Sequence, residues 1–505
     1  MNRFADELAA NANTVITENG GRNFALDNFD NCLVKALYSL ANYRTDNDNK
    51  NDPVKYFDKA LTDGELKCWA GKFALMVRDI TQGAGERSLG RVLIARALDA
   101  GLLDVAATVN FLVNDRGGRW DDVIAIKQLV ANGFVDDKLT EAVKNQFKQD
   151  LISYRADNNV SLLGKWLPSI NTSSGETRAL GRQWAKIFGL SLAQYRKIVS
   201  KLRERIDVVE RKITSNRWEQ IEYPRVPSLA MARYGRVFRD HDHDRFEQYL
   251  VDVDAGKSKI NTTGTTAPEI VQLVDSDGQL AQTMWDNRKK FTFNGNVLPV
   301  CDVSGSMLTG IGKLSAMDVS IGLSLYLAEA NQGPFYNKVI AFSHDSNIID
   351  LSSYKTLDDK ICAIKRDGGL DTNIENVLSN VLKLAVNSNC TQDEIPTIAF
   401  FTDMEFNPAA DDNANDYMFQ MRSRGSYKTI FEKWREKYRQ AGYQFPKMVF
   451  WNIAGRTGGV PVKANPLGLI LVSGYNENLM KMVVTDAYDP WDALKETLSN
   501  PRYDI

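Results

Sequence analysis

The sequence predicts a two-part protein, an all-α helical-repeat array followed by a doubly wound α/β domain. Through about the first 250 residues, apolar side chains recur at three- and four-residue steps, which is the stripe of amphipathic helices. From about residue 291, short apolar runs rich in β-branched and aromatic residues alternate with helical patterns. That alternation is typical of parallel strands covered on both faces. The length of 505 residues also exceeds that of one ordinary domain.

The helical part is predicted to span residues 1–270. Its periodic segments are separated by breaks at Gly83–Gly85, at Gly117–Gly118 and around Pro168, where consecutive helices would turn. No convincing two-residue alternation occurs in this part, so we expect no strands there. Residues 271–290 are predicted to be a linker or a connecting helix.

The α/β domain is predicted to span residues 291–505. The predicted strands are Val297–Val303, Lys338–Ser343, Thr397–Thr402, Lys447–Ile453 and Gly468–Ser473. The predicted helices between them are Ser315–Asn331, Ile374–Val386, Ser426–Ala441 and Glu477–Val484. Strands buried on both sides explain why these apolar runs carry no polar alternation.

Composition excludes several classes of protein. Hydrophobic content of 43% and charged content of 25% are ordinary globular values. No apolar run is long enough to span a membrane, so no membrane association is expected. Five widely spaced cysteines suggest reduced thiols rather than a disulfide frame, and we expect a cytoplasmic protein.

The net charge of −2 hides an uneven distribution. Residues 151–239 hold 17 basic and 7 acidic side chains, whereas residues 301–505 hold 20 basic and 25 acidic ones. A basic stretch inside a nearly neutral chain is the pattern of a localised anion-binding surface.

Oxygen-bearing side chains cluster where the first predicted strand ends, in Asp302-Val303-Ser304-Gly305-Ser306. Alternate residues of an extended segment point the same way, and sites in open α/β sheets lie at the carboxyl ends of strands. Thr372 precedes a predicted helix, and Asp403 follows another strand. Asp302, Ser304, Ser306, Thr372 and Asp403 are therefore candidate ligands of a divalent cation, Mg²⁺ first and Mn²⁺ or Ca²⁺ as alternatives. A carboxylate or phosphate of a partner could fill the open position.

The DVSGS segment with the later threonine and aspartate resembles the metal-ion-dependent adhesion site (MIDAS) of von Willebrand factor A (vWA) domains. The resemblance implies that fold for residues 291–505 and a magnesium-binding role for the five residues.

Further motifs resemble the DUF2828 family of uncharacterised viral, plant and fungal proteins. They are Arg78-Asp79-Ile80, Gly83-Ala84-Gly85-Glu86-Arg87, Gly118-Arg119-Trp120-Asp121-Asp122, Lys165-Trp166-Leu167-Pro168 and Phe450-Trp451-Asn452. The order of parts is similar to that of TROVE-domain Ro proteins, in which a ring of HEAT-like helical repeats binds single-stranded RNA ends and structured RNA. By that analogy we expect a non-enzymatic, Ro-like ribonucleoprotein component, as an RNA chaperone, quality-control factor or scaffold. Closure of such a ring within one chain favours a monomer.

The basic stretch supplies candidate RNA-binding side chains, because cations neutralise phosphates. They are Arg178, Arg182, Lys186, Arg196, Lys197, Lys201 and Arg203. Aromatic residues that could stack on bases are Trp166, Trp184, Tyr195 and Trp218. A second basic group is Arg225, Arg233, Arg236 and Arg239. The alternative interpretation is a solvated helical face with structural aromatic residues.

Other interpretations are weaker or stay open. Charged residues beside the glycine-rich turns, such as Arg78 and Asp122, are expected to cross-link helices. His241–Asp244 is expected to be a solvated loop rather than a metal cluster. A nuclease is disfavoured because no general base is evident. The alternative function is a metal-dependent protein-interaction adaptor with no RNA role.

Overall fold

A computed structural model of the 505-residue chain describes residues 14–16, 22–26, 29–44, 52–289, 291–293, 295–311, 313–342, 346–369, 373–405, 430–454, 459–460 and 468–505. The chain forms two compact units. The α/β unit comprises residues 1–67 and 265–500, and the helical unit comprises residues 68–264 and 501–505.

The described helices are α1 Cys32–Tyr38, α2 Pro53–Thr62, α3 Lys67–Arg78, α4 Arg87–Asp99, α5 Val105–Val113, α6 Trp120–Leu129, α7 Gly133–Arg155, α8 Leu163–Trp166, α9 Gly175–Ile187, α10 Leu192–Ile206, α11 Val209–Thr214, α12 Ser228–His241, α13 His243–Asp254, α14 Ala267–Asp286, α15 Ala316–Ala330, α16 Leu357–Asp367, α17 Ile374–Asn387, α18 Ile430–Gln440 and α19 Pro490–Leu498. The described strands are β1 Thr14–Ile16, β2 Arg22–Ala25, β3 Val297–Cys301, β4 Gly310–Ile311, β5 Leu314–Ser315, β6 Lys338–Ala341, β7 Ile348–Asp350, β8 Thr397–Thr402, β9 Met448–Asn452, β10 Gly459–Val460 and β11 Leu469–Ser473.

A six-stranded sheet is the centre of the α/β unit. Its strand order is β11-β9-β8-β3-β6-β7, and all neighbours are parallel except β6 and β7. Every residue of β3, β9 and β11 is buried. Because successive side chains point to opposite faces, both faces of these strands are covered. The predicted C-terminal α/β domain with a parallel sheet is confirmed.

Capping and aromatic packing hold the helical unit where the basic helices lie. Ser191 caps α10, accepting from the backbone N–H of Gln194 while the Gln194 side chain accepts from the Ser191 N–H. Such a reciprocal box satisfies two amide groups that a helix start leaves exposed. Between α9 and α10, Phe188 stacks on Phe147 of α7 with ring centroids 3.9 Å apart. The predicted, mostly helical N-terminal region is confirmed in this coarse form.

The boundary predicted at residue 270 differs from the observed division at the N-terminal side. Helix α1 buries Leu33 and Leu37 completely and belongs to the α/β unit. The Ala41 N–H donates to Ser473 Oγ at 3.0 Å, and Asn452 Nδ2 donates to the Tyr38 carbonyl at 3.3 Å. These bonds join segments more than 400 residues apart, which helical periodicity cannot report.

Residues 271–290 were predicted to be a linker or a connecting helix, and residues 271–286 lie within the packed helix α14. Thr266 caps this helix in a box with Glu269. A Cβ added at Gly322 of α15 would lie 2.7 Å from the Pro268 nitrogen, so the two helices approach too closely for a larger residue. The segment is therefore part of the core of the α/β unit.

The last five residues also differ from the prediction, because they belong to the helical unit. The Arg502 guanidinium donates to both carboxylate oxygens of Asp79, at 2.6 and 3.2 Å, and the Tyr503 hydroxyl lies 3.1 Å from Asp79 Oδ2. The predicted range 291–505 therefore ends too late for the α/β unit.

Further differences concern individual elements. Strands β1 and β2 lie in the part where no strands were expected. Glu477–Met482 is a 3₁₀ helix rather than the α-helix predicted for residues 477–484, and neither α16 nor α19 was predicted. Within the described residues, no helix is both long and apolar enough to cross a membrane.

Candidate functional site

Asp302 and Asp403 follow the neighbouring parallel strands β3 and β8 at the same edge of the sheet. The register pairs Cys301 with Phe401, so Asp302 is level with Thr402 and Asp403 lies one residue further along the neighbouring strand. Both aspartates are fully buried. This edge is where open α/β sheets place their sites.

A tight set of hydrogen bonds organises the loop after β3. Asp302 Oδ2 accepts from the Thr402 hydroxyl at 2.6 Å, and Asp302 Oδ1 accepts from the Ser304 N–H at 3.0 Å. The hydroxyl oxygens of Ser304 and Ser306 lie 3.1 Å apart. The structure thus brings together Asp302, Ser304 and Ser306, while Thr372 lies outside the described residues.

The turn after β8 holds Asp403 in a defined position. Its Oδ1 accepts from the Glu405 N–H at 3.1 Å, and Met404 between them has φ of 66°, a conformation that costs energy for a residue with a side chain. Sequence reasoning missed Thr402 and Glu405, which is fully buried. The signal was the run Thr402-Asp403-Met404-Glu405 directly at a strand end.

The two buried carboxylates at this edge make the ionised form of Asp302 unfavourable. Burial, and next the charge of Asp403, raise the pKa of Asp302 to about 6. A cation would offset both effects, and two carboxylates with two hydroxyls form the hard oxygen donor set that Mg²⁺ prefers. The side chains therefore fit a divalent cation chemically, through two carboxylates and two hydroxyls. A site of another kind, built from three or more His, Cys, Asp or Glu side chains, is absent among the described residues.

The basic stretch forms a different kind of candidate site on α9 and α10. Arg182, Lys186, Arg196 and Lys197 are exposed. Across the described residues, none of these four forms a salt bridge. Lys201 is also exposed, with its ammonium 5.9 Å from the Tyr154 ring centroid. We call the first four residues the basic surface.

Two other predicted RNA-binding residues are engaged within the helical unit. Arg203 donates to the carbonyls of Gly164 and Leu167 and to Ser169 Oγ, at 2.6 to 3.0 Å. Arg178 donates to the carbonyls of Thr172 and Ser173 before α9. Both side chains therefore hold loops of their own unit.

The interleaved aromatic residues are mostly core. Trp184 and Tyr195 are fully buried, and the Tyr195 hydroxyl donates to the Pro168 carbonyl at 2.9 Å. The suggestion that these two rings stack on bases is wrong, because both rings are buried and not accessible to a base. Trp166 is partly buried, 5.5 Å from the Arg119 guanidinium.

The charged residues beside the glycine-rich turns cross-link helices, as expected. Asp122 accepts from Arg78 Nη2 at 2.5 Å, from Arg91 Nε at 2.6 Å and from the Arg119 N–H at 2.8 Å. Arg87 pairs with Asp121. Burial opposes ionisation of Asp122, but the charges and hydrogen bonds of Arg78 and Arg91 outweigh it and lower its pKa. We call these residues the ionic cluster.

The segment His241–Asp244 differs from the solvated loop that was expected. His241 ends α12 and His243 begins α13, so the segment is a junction of two helices.

Comparisons with known proteins match most of the chain without assigning an activity. The model of DUF2828, a domain of unknown function, matches residues 181–295, and that of DUF7788, another domain of unknown function, matches residues 296–498. The predicted resemblance to DUF2828 is confirmed over that range, whereas the von Willebrand factor A assignment stays a prediction. An uncharacterised protein of Acanthamoeba polyphaga mimivirus is 28% identical over 530 residues, covering 96% of this chain and 87% of that protein.

One solved structure is also similar. It is the Ro (RSR) protein of Deinococcus radiodurans, at 13% identity and a TM-score of 0.32, covering 93% of this chain and 87% of that chain. A likeness at this TM-score supports no conclusion about fold or function.

Proposed function

We propose that this protein is a non-enzymatic RNA-binding protein whose basic surface contacts RNA phosphates. One observation carries the proposal. Arg182, Lys186, Arg196 and Lys197 are exposed on two consecutive helices, and among the described residues none has an acidic partner. Exposed cations without acidic partners on consecutive helices favour a polyanion, because binding releases its condensed counterions.

The arrangement of α9 and α10 supports a fixed rather than a flexible surface. Each helix buries its opposite face, through Trp184 on α9 and through Tyr195 and Val199 on α10. Arg203 ties α10 to α8 and to the segment between α8 and α9 by three hydrogen bonds. The four cations are thus presented on a rigid scaffold, which lowers the entropy lost on binding.

The direct test is binding of labelled single-stranded and hairpin RNA, measured by fluorescence anisotropy. Arg196→Glu with Lys197→Glu should weaken binding about tenfold or more, because two charge-assisted contacts are lost. The matched control is Lys138→Glu with Lys148→Glu on α7, two exposed lysines of the same unit with the same charge change. Absent binding by the native protein, or equal losses in both variants, would overturn the proposal.

We further propose that the α/β unit is a von Willebrand factor A-like domain with a divalent-cation site. Asp302, Ser304, Ser306 and Asp403 would hold the cation, with Thr372 as the predicted fifth ligand. When bound, Mg²⁺ would supply an electrophilic position for an acidic group of a partner. The chain's own residues keep the site ready, because Thr402 and the Ser304 N–H orient the Asp302 carboxylate.

Thermal unfolding with Mg²⁺ or Mn²⁺ tests the cation site. A free cation concentration of one hundred times the dissociation constant should stabilise the folded protein by about 2.7 kcal/mol. Asp302→Asn and Asp403→Asn should lose this response, and Asp358→Asn, an exposed carboxylate of the same unit, should keep it. A response that persists in both site variants would contradict the assignment.

A second candidate function is the metal-dependent protein-interaction adaptor. Leu308, two residues beyond Ser306, is 69% exposed, and an apolar side chain beside an acidic-ligand site suits a protein partner. Two results together would favour the adaptor over RNA binding. Asp302→Asn would lose a bound protein, and nuclease would leave the ratio of absorbance at 260 and 280 nm of the purified protein unchanged.

A further inference from the structure

The helical unit presents one stacked aromatic pair at its surface. The rings of Trp218 and His241 are parallel within 3°, with centroids 4.7 Å apart. His241 is exposed and Trp218 is partly exposed, in contrast to the buried Trp184 and Tyr195. A flat exposed ring that is backed by another ring is the shape on which an unpaired base stacks.

The backbone around Trp218 is held in place from two sides. Arg245 donates through Nη1 to the Trp218 carbonyl at 2.8 Å and through Nη2 to the Ile221 carbonyl at 2.9 Å. Lys212 Nζ donates to the Gln220 carbonyl at 2.8 Å. The turn Trp218–Gln220 is therefore fixed before any ligand arrives, and the stack needs little reorganisation to bind.

Cations for a phosphate chain lie on the helix that carries His241. Arg233 and Arg236 of α12 are exposed and form no salt bridge in the described part of the chain. Arg233 lies eight residues before His241, which is about 12 Å along a helix axis. Around the helix, Arg233 lies about 80° and Arg236 about 140° from His241, so the backbone of a strand whose base stacks on His241 would curve around α12 to reach both cations.

We infer that Trp218 and His241 form a base-stacking platform for single-stranded RNA, with Arg233 and Arg236 receiving the adjoining phosphates. This rests on the proposed RNA-binding function and names a second place on the helical unit, apart from the basic surface, that distinguishes unpaired from paired RNA. Exposed Glu219 and Asp240 flank the rings, so the platform contributes through stacking more than through charge.

The test compares a single-stranded oligonucleotide, the same oligonucleotide with abasic sites, and a duplex. His241→Ala should weaken binding of the single strand about five- to hundredfold, since one base stack is lost. His241→Phe, which keeps a flat ring, should retain the affinity. His243→Ala is the matched control, because this histidine is also exposed but lies outside the stack. Trp218→Phe should also retain the affinity, because it keeps a backing ring.

The results separate this inference from the proposed function. Equal losses for the single strand and the abasic strand, or no loss in His241→Ala while Arg196→Glu with Lys197→Glu is defective, would overturn the platform and leave RNA binding intact. No binding by the native protein would overturn both. The platform would be established if His241→Ala lowered the affinity only for unpaired RNA that carries its bases, and by the same factor at low and at high salt.

Discussion

The ionic cluster and the basic surface both contain cationic side chains of the helical unit, but the cations are paired with carboxylates in the first and, among the described residues, left without acidic partners in the second. In the ionic cluster, Arg78 is 2% exposed and reaches the fully buried Asp122. On the basic surface, Arg196 and Lys197 are exposed. The contrast shows that the number of cations in a segment does not identify a binding site. What matters is whether other groups of the same chain, acidic or neutral, already occupy their hydrogen-bond donors.

Arg203 shows how closely the two situations can lie in sequence. It is on the same helix as Arg196 and Lys197 but donates to Gly164, Ser169 and Leu167. A guanidinium with several fixed donors suits this clamping role better than an ammonium does. Arg203 therefore has a structural role within its unit, and its role in RNA binding stays a prediction.

The largest effect is expected from Asp122→Ala in the ionic cluster. The substitution leaves the buried Arg78 without its carboxylate and removes one of the two carboxylates that pair with Arg91, which should cost about 3–5 kcal/mol of stability. Hydrogen–deuterium exchange of α4 and α6 would measure it locally. Glu222→Ala, which breaks the exposed pair with Arg225, is the control and should cost well under 1 kcal/mol. Equal effects would mean that the cluster is not a stability element.

Acid should weaken the same cluster selectively. Since the folded pKa of Asp122 lies below its ordinary value, its contribution is complete above about pH 4 and is lost as pH falls through the folded pKa. Denaturant unfolding between pH 6 and pH 3 should therefore show a steeper loss of stability for the native chain than for Asp122→Asn. Parallel curves would count against this assignment.

Arg203→Ala should have an intermediate effect on stability. Loss of three donors leaves the Gly164 and Leu167 carbonyls to find other partners, at a cost of about 1–3 kcal/mol. Arg196→Ala, on the exposed face of the same helix, should change stability by less than about 0.5 kcal/mol. If the two variants unfolded at the same denaturant concentration, the distinction between clamp and free cation would fail.

Local patterns predicted the α/β unit well. Strand Thr397–Thr402 was predicted residue for residue, and β9 and β11 within one residue at each end, because continuous burial leaves a strong apolar signal. The approach of Asp302 and Asp403 also followed, since neighbouring parallel strands share an edge. Strand β7, of three residues, is too short to leave such a signal.

Long-range contacts account for the failures. Helix α1 packs against β11, and Arg502 pairs with Asp79, and neither contact has a signature in local periodicity. Trp184 and Tyr195 were misread for a related reason, because composition counts an aromatic residue without saying which face of its helix it occupies.

The salt dependence of RNA binding tests the central proposal most directly. The logarithm of the association constant should fall linearly with the logarithm of the salt concentration. If each of the four cations of the basic surface contacts one phosphate, this slope should be steeper by about 3 in the native protein than in a protein that lacks the four cations. The variant with Glu at positions 182, 186, 196 and 197 should lose that increment. The same slope in the native protein and the variant would contradict the account.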